Sequence, residues 1–312
     1  MRVFLWLLIG FVLLILISGA YVFYVACVRR KELPWMVEEE LKKTSFGKYY
    51  HCIVASDAWL KENHAQDVYI TSKDGLRLHA YWIPAENPRG TILLAHGYRS
   101  TMLVDFGLAF VFYHTLGMNI LVPDQRSHGA SEGKFITFGV NESDDMRRWI
   151  EFHNANFGMY QMILSGISMG ASTMLYLVDC DLPANVKCLI ADCGFTSPWE
   201  ILSSVFRSVV HLPAAPTLWA ANVFAKVIAG FSLRGKDSRK TLANTKLPIL
   251  MIHGGADDFV PCEMTKEGFA CCTGIKELLL IENAGHGISF LVDKKRYTTA
   301  VIAFLEKHLE GF

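Results

Sequence analysis

The sequence predicts an α/β architecture: a mostly parallel, twisted sheet with helices on both faces, preceded by one transmembrane helix. Three observations carry this. Short apolar, β-branched or leucine-rich runs alternate with stretches long enough for helices, which is the pattern of βαβ units. A single uncharged run, Val3 to Val28, is long enough to cross a bilayer. One interval, Phe195 to Leu247, lacks a strand pattern and interrupts the alternation.

Composition narrows the class. Of 312 residues, 52% are hydrophobic, and Lys plus Arg (30) balance Asp plus Glu (30). Such a chain is too apolar for disorder. Without a charge excess it lacks the basic footprint of a nucleic-acid binder. Only one membrane-length run occurs, so a multi-span channel or transporter is excluded. The remainder suffices for one large domain with its own core.

Taken in order, residues 1–31 read as an anchor with flanking charges. Val3 to Val28 at about 1.5 Å per residue spans ~39 Å, more than the ~30 Å hydrocarbon core. Trp6, Tyr21 and Tyr24 stand toward its ends, as interfacial aromatics do. A signal peptide has a shorter apolar region, so an uncleaved anchor is expected, with Ser18-Gly19-Ala20 as the rival cleavage site. Arg29, Arg30 and Lys31 argue for a cytoplasmic C-terminal side and Arg2 for the reverse, so sidedness stays open. Residues 32–66, with apolar positions around Val37, Leu41, Trp59 and Leu60, predict an amphipathic helical linker to a domain at 67–312.

That domain opens with strands at Asp67–Ser72 and Arg77–Ile83 around the turn Lys73-Asp74-Gly75, an antiparallel hairpin for one sheet edge. Further strands are predicted at 91–95, 119–123, 162–166, 187–192, 248–253 and 277–282. Helices are predicted at 101–117, 141–157, 168–180, 263–272 and 293–309. The 195–247 interval has helical apolar faces (Ile201, Leu202, Val205; Leu218, Ala221, Phe224) and breakers at Pro198, Pro213 and Pro216. It is expected to be a helical insertion that lids the site. None of the eight cysteines forms a C-x-x-C pair, and most sit in apolar runs, which reads as buried free thiols.

The chemistry concentrates at strand ends. Gly166-Ile167-Ser168-Met169-Gly170 follows a strand and precedes a helix, the setting a G-x-S-x-G nucleophile requires. The serine needs a base, and His286 in Asn283-Ala284-Gly285-His286-Gly287 lies beyond the last strand. An acid should orient that histidine. Asp257, after the penultimate strand, is the first choice, with Asp258 its nearest rival and Asp192 a more distant one. Backbone amides of Met169 and Tyr98 are candidates for an oxyanion hole, the latter from the loop His96-Gly97-Tyr98-Arg99-Ser100.

Together with Asp124-Gln125-Arg126-Ser127-His128-Gly129 and Asp192-Cys193-Gly194-Phe195-Thr196-Ser197, these motifs make residues 67–310 resemble the α/β-hydrolase superfamily. The likeness is strongest to a bacterial, membrane-anchored branch similar to prolyl-oligopeptidase-like and serine-aminopeptidase-like hydrolases. The resemblance implies a sheet of about eight strands. It also implies hydrolysis of carboxylic esters, thioesters or amides through an acyl-serine, with no metal or organic cofactor. Ester chemistry is expected over peptidase chemistry, since the insertion is apolar and only Glu200 and Asp237 offer a carboxylate for a substrate amine. A non-catalytic membrane-tethered binding protein on the same scaffold is the rival from another class. The expected substrates are small acyl esters, lipid-like molecules or peptides. Asp124, Arg126 and His128 are expected to stabilise their turn, and His253 to cap its strand.

Overall fold

The structure, a computed structural model, describes residues 1–30, 39, 42, 43 and 46–312. Eight strands form one sheet in the order β1-β2-β4-β3-β5-β6-β7-β8. Their ranges are β1 Gln66–Thr71, β2 Arg77–Ile83, β3 Gly90–Ala95, β4 Met118–Pro123, β5 Met162–Ile167, β6 Val186–Asp192, β7 Ile249–Gly254 and β8 Lys276–Ile281. β1 and β2 pair antiparallel, as does β2 with β4, and every pairing from β4 through β8 is parallel. The hairpin thus occupies the sheet edge.

The central strands are apolar throughout because both faces are covered. Alternate residues of β3 go to opposite layers. Ile92 and Leu94 join a cluster with Phe106, Phe110, Val301 and Phe304. Leu93 and Ala95 join another with Met146, Trp149, Ile150 and Met174. The first layer is built by helices α2 (Tyr50–Glu62), α3 (Met102–Thr115) and, after a single turn α10 (Ser289–Val292), α11 (Lys294–His308). The second is built by α4 (Val140–Asn156) and α5 (Met169–Leu175). The expected linker falls partly outside the described residues, Val37 and Leu41 among them; Trp59 and Leu60 lie on α2 and pack on the first layer.

Between β6 and β7 the chain forms α6 (Pro198–Val210), α7 (Ala215–Ala229) and the short α8 (Ser238–Leu242); α9 (Cys262–Cys271) follows β7. Local chemistry sets these boundaries. Ser197 caps α6 by accepting the Glu200 amide, with Pro198 in the first turn, and Gly230 ends α7 at φ +70°.

The N-terminal helix α1 spans Arg2–Cys27 and is long and apolar enough to cross a membrane. Its first half projects free and exposed, while Gly19, Phe23, Ala26 and Cys27 are buried against the domain. Phe23, Ala26 and Cys27 join a third cluster with Met169, Phe195, Ile201, Ala221 and Ala225. Cys27 carbonyl accepts the Ile136 amide, and Arg29 donates to the carbonyls of Gly129 and Ser131. The helix is therefore built into the domain at its C-terminal end.

Candidate active site

The loops that leave the C-terminal ends of β3, β5, β7 and β8 converge, which is where open α/β sheets place ligands. Ser168 stands between β5 and α5 with φ +55° and ψ −117°. That backbone state costs a non-glycine residue about 1–3 kcal/mol. The surroundings enforce it: the Ser168 amide donates to Asp192 carbonyl at 2.8 Å. The flanking glycines are needed for close approach. A Cβ on Gly170 would sit 1.8 Å from Ala95 carbonyl oxygen, and one on Gly166 would sit 2.4 Å from the Gly170 backbone.

Three predicted residues meet here. His286 Nε2 lies 2.9 Å from Ser168 Oγ, and His286 Nδ1 lies 2.7 Å from Asp257 Oδ2. Asp257 is ionised and acceptor-only, so Nδ1 carries the proton and the Nε2 lone pair faces the serine hydroxyl. Burial by itself would raise the Asp257 pKa, but hydrogen bonds from His253 and His286 and the Val260 amide hold the carboxyl far below the usual range. Its other oxygen accepts the amides of Phe259 and Val260 at 2.9 Å each.

The rival acids are disposed otherwise. Asp258 is exposed. Asp192 is buried and accepts the Ser289 hydroxyl at 3.3 Å, and burial pushes its pKa up to about 6.

The loop after β3 reaches the same point. A Cβ on Gly97 would lie 3.4 Å from Ser168 Cβ. The Gly97 amide goes to Asp105 Oδ2 at 2.5 Å, Arg99 amide to His128 Nε2 at 3.0 Å and Ser100 amide to Gly97 carbonyl at 3.3 Å. Among the described residues none of these bonds takes the Tyr98 amide. The Met169 amide opens α5, where first-turn N–H groups lack helical acceptors.

Side chains of this loop hold α1. Tyr98 hydroxyl donates to Ala26 carbonyl at 2.8 Å. Arg99 guanidinium donates to the carbonyls of Val25 at 2.7 Å and Val28 at 3.0 Å. Those carbonyls lie at the helix C-terminus, where a cation is favoured.

Several supporting residues escaped the sequence reading. His253 does more than cap its strand. Its Nε2 lies 3.0 Å from Val260 carbonyl and 3.2 Å from Asp257 Oδ2, and its Nδ1 lies 2.7 Å from Thr265 hydroxyl. The carbonyl fixes the proton on Nε2, so His253 donates toward the Asp257 carboxylate from behind. Asp105, partly buried, holds the β3 loop by accepting Gly97 amide and Ser100 hydroxyl (2.6 Å), with desolvation raising its pKa against those bonds. Neither residue has a motif of its own; histidine and aspartate at strand or helix starts are common.

Asp124, Arg126 and His128 stabilise their turn. Asp124 accepts Ala130 amide and pairs with His79 at 2.8 Å; Arg126 pairs with Asp145 at 2.6 Å and Asp74 at 2.9 Å. Glu200 and Asp237 both lie against Arg239, at 4.0 and 2.8 Å. Cys193, Asp257 and His286 bring one ligand atom each within 4.8 Å of one another. A metal would want the Cys193 thiolate, and burial holds that thiol well above its ordinary pKa.

The family model described as serine aminopeptidase, S33, matches residues 86–217. The uncharacterized protein YqkD of Bacillus subtilis is 29% identical over 238 residues, covering 76% of this chain and 78% of the other. The AB hydrolase superfamily protein YisY, also of Bacillus subtilis, is 35% identical over 86 residues, 27% of this chain and 31% of the other. Among solved structures, the Pyrococcus furiosus esterase Pf2001 superposes with TM-score 0.67 at 22% identity, over 80% of this chain and 94% of that one. The Pyrococcus horikoshii acylaminoacyl peptidase superposes with TM-score 0.59 at 18% identity, over 80% and 43%.

Proposed function

We propose, from its α/β-hydrolase fold and its likeness to members of that superfamily, that this chain is a membrane-anchored serine hydrolase that cleaves carboxylic esters through an acyl-serine. The observation that carries this reading is the relay Ser168 Oγ–His286 Nε2–Asp257 Oδ2, at 2.9 and 2.7 Å. In the proposed reaction Ser168 Oγ attacks the acyl carbonyl carbon while His286 Nε2 takes its proton. Asp257 holds the imidazole in this tautomer and stabilises the imidazolium. The amides of Tyr98 and Met169 receive the oxyanion. As the tetrahedral adduct collapses, His286 protonates the leaving alkoxide. Water then enters by the same route and releases the acid.

Esters are favoured over amino-terminal peptide substrates by the insertion's charge. An aminopeptidase needs a carboxylate to receive the substrate amine. Glu200 and Asp237 are committed to Arg239, and no Asp or Glu occurs from Ile201 to Lys236. The apolar cluster beside the elbow, with Met169, Phe195 and Ile201, suits an acyl chain instead. A peptidase reading retains one support, the description of the matching family model. Anchoring is supported by the exposed apolar half of α1, and retention of that helix by the packing of Ser18 and Gly19, which belong to the rival cleavage site itself, against α7.

The test is labelling by a fluorophosphonate probe, followed by a panel of acyl-chain p-nitrophenyl esters and aminoacyl amides. Wild type should label and favour the esters, and Ser168→Ala should do neither. Full ester turnover by Ser168→Ala sinks the reading, and a preference for aminoacyl amides replaces esterase with peptidase.

A further inference from the structure

Helix α7 runs beside α1 in the same direction. Ser18 Oγ meets Thr217 Oγ1 at 3.1 Å. A Cβ on Gly19 would lie 2.4 Å from Ala220 Cβ, so the two backbones are in close contact. Phe23 and Phe224 rings lie 6.5 Å apart one turn later. The depth of α7 is thereby tied to that of α1. A bilayer core takes about 20 helical residues, and every such window within Val3–Val28 contains residues 9 to 22. Ser18 is then at least about four residues, or ~6 Å, inside the hydrocarbon boundary on the domain side. Thr217 and Ala220 lie at the depth of the residues they touch.

The outer face of α7 has the composition this depth demands. Trp219, Val223 and Val227, at i, i+4 and i+8, form one exposed stripe (51, 53 and 79% exposed). The last turn of α6 and the turn leading into α7 add exposed Val209 and Leu212. Soluble surfaces seldom gather such a patch. Charge supplies a second, independent sign. From Ile201 to Lys236 the chain has four cations (Arg207, Lys226, Arg234, Lys236) and no carboxylate. Arg234 stacks over the Trp199 and Trp219 rings, 4.0 and 4.3 Å from their centroids, an aromatic–cation arrangement suited to a headgroup layer.

We propose that α7 and the turn before it are immersed in the domain-side leaflet of the bilayer that α1 crosses, so that the hydrolase domain sits in the bilayer surface with its cationic rim against anionic headgroups. This rests on reading α1 as a membrane span. It also gives the substrate a route. The buried face of α7, through Ala221 and Ala225, meets the cluster that holds Met169 of the elbow, so a lipid ester leaving the bilayer has a short apolar path to Ser168.

The test places a benzophenone amino acid in the full-length chain at Val223, Leu212, Leu14 or Ile275, in vesicles of phosphatidylcholine and phosphatidylglycerol bearing a clickable acyl chain. Leu14 reports α1, and exposed Ile275 precedes β8 at the sheet end opposite the site. Lipid adducts at Leu14, Val223 and Leu212 with none at Ile275 are expected. Adducts at Leu14 but not at Val223 and Leu212 overturn the proposal and leave the anchor standing. Loss of adducts at Leu14 as well overturns the anchor reading itself. A chain-to-chain adduct at Val223 replaces the bilayer with a second copy and also overturns it. For the unsubstituted chain, acyl-brominated lipid should quench tryptophan emission, and Trp219→Phe should lower the quenched fraction; an unchanged fraction counts against immersion.

Discussion

His128 should make this protein acid-labile by an amount that follows from its surroundings. Its ring is buried, Nε2 accepts the Arg99 amide at 3.0 Å, and Nδ1 donates to Arg126 carbonyl at 2.9 Å. Protonation would put a second N–H against the Arg99 amide. Burial first, and then the neighbouring His96, lower its pKa from 6.5 to about 3. The folded state thus favours the neutral ring. This stabilisation is complete above pH 6.5, the unfolded value, and is lost progressively as pH falls from there toward about 3. Between pH 7 and pH 5 the unfolded imidazole gains a proton that the folded one refuses, which costs about 2 kcal/mol. The assay is urea denaturation of wild type and His128→Gln in micelles at both pH values. The stability gap between them should shrink by about 2 kcal/mol at pH 5, since glutamine has no proton to gain. A gap that does not change with pH refutes the neutral, buried ring.

Three further outcomes are expected. Asp257→Asn should lower kcat on a p-nitrophenyl ester by roughly 10⁴-fold, the loss measured in a serine protease when the acid of its triad becomes an amide, while circular dichroism stays native. Gly170→Ala should fail to reach wild-type Tm or yield, because its methyl would lie 1.8 Å from Ala95 carbonyl; a Tm within a degree or so of wild type would contradict the close approach. Tyr98→Phe removes the hydroxyl donated to Ala26 carbonyl and should cost about 1 kcal/mol in urea denaturation.

The sequence was most readable where one local rule sufficed. Short apolar runs, with a hairpin turn for the first pair, located all eight strands, since a strand covered on both faces has few polar residues to obscure it. Gly166 and Gly170 announced the elbow because only glycine fits those contacts. Asp257 stood out by its order in the chain, but Asp258 could be set aside only once the Asp257 carboxylate was seen turned inward to four backbone and side-chain donors while its neighbour faced solvent. His253 and Asp105 were hidden for a different reason. Each acts through a residue that the chain brings near by folding, and a lone buried histidine or aspartate carries no spacing that names its partner.

The relation of α1 to the site was the least legible feature, and it bears most on mechanism. Hydropathy marks a span, yet says nothing of what the span touches. The structure joins Tyr98 to Ala26 and Arg99 to Val25 and Val28, across more than seventy residues of sequence. Hydrogen bonds to a charged group are worth about 1.5–3 kcal/mol, and leaving the donor buried without an acceptor costs a similar amount. Removing α1 would strip the acceptors from Arg99 and Tyr98 and take Phe23, Ala26 and Cys27 from the cluster that packs Met169. Tyr98 and Met169 carry the two amides proposed to receive the developing oxyanion. The helix proposed to anchor the protein and the two amides proposed to stabilise the transition state therefore share one set of contacts, so the last turns of α1 belong to the hydrolase domain in energetic terms.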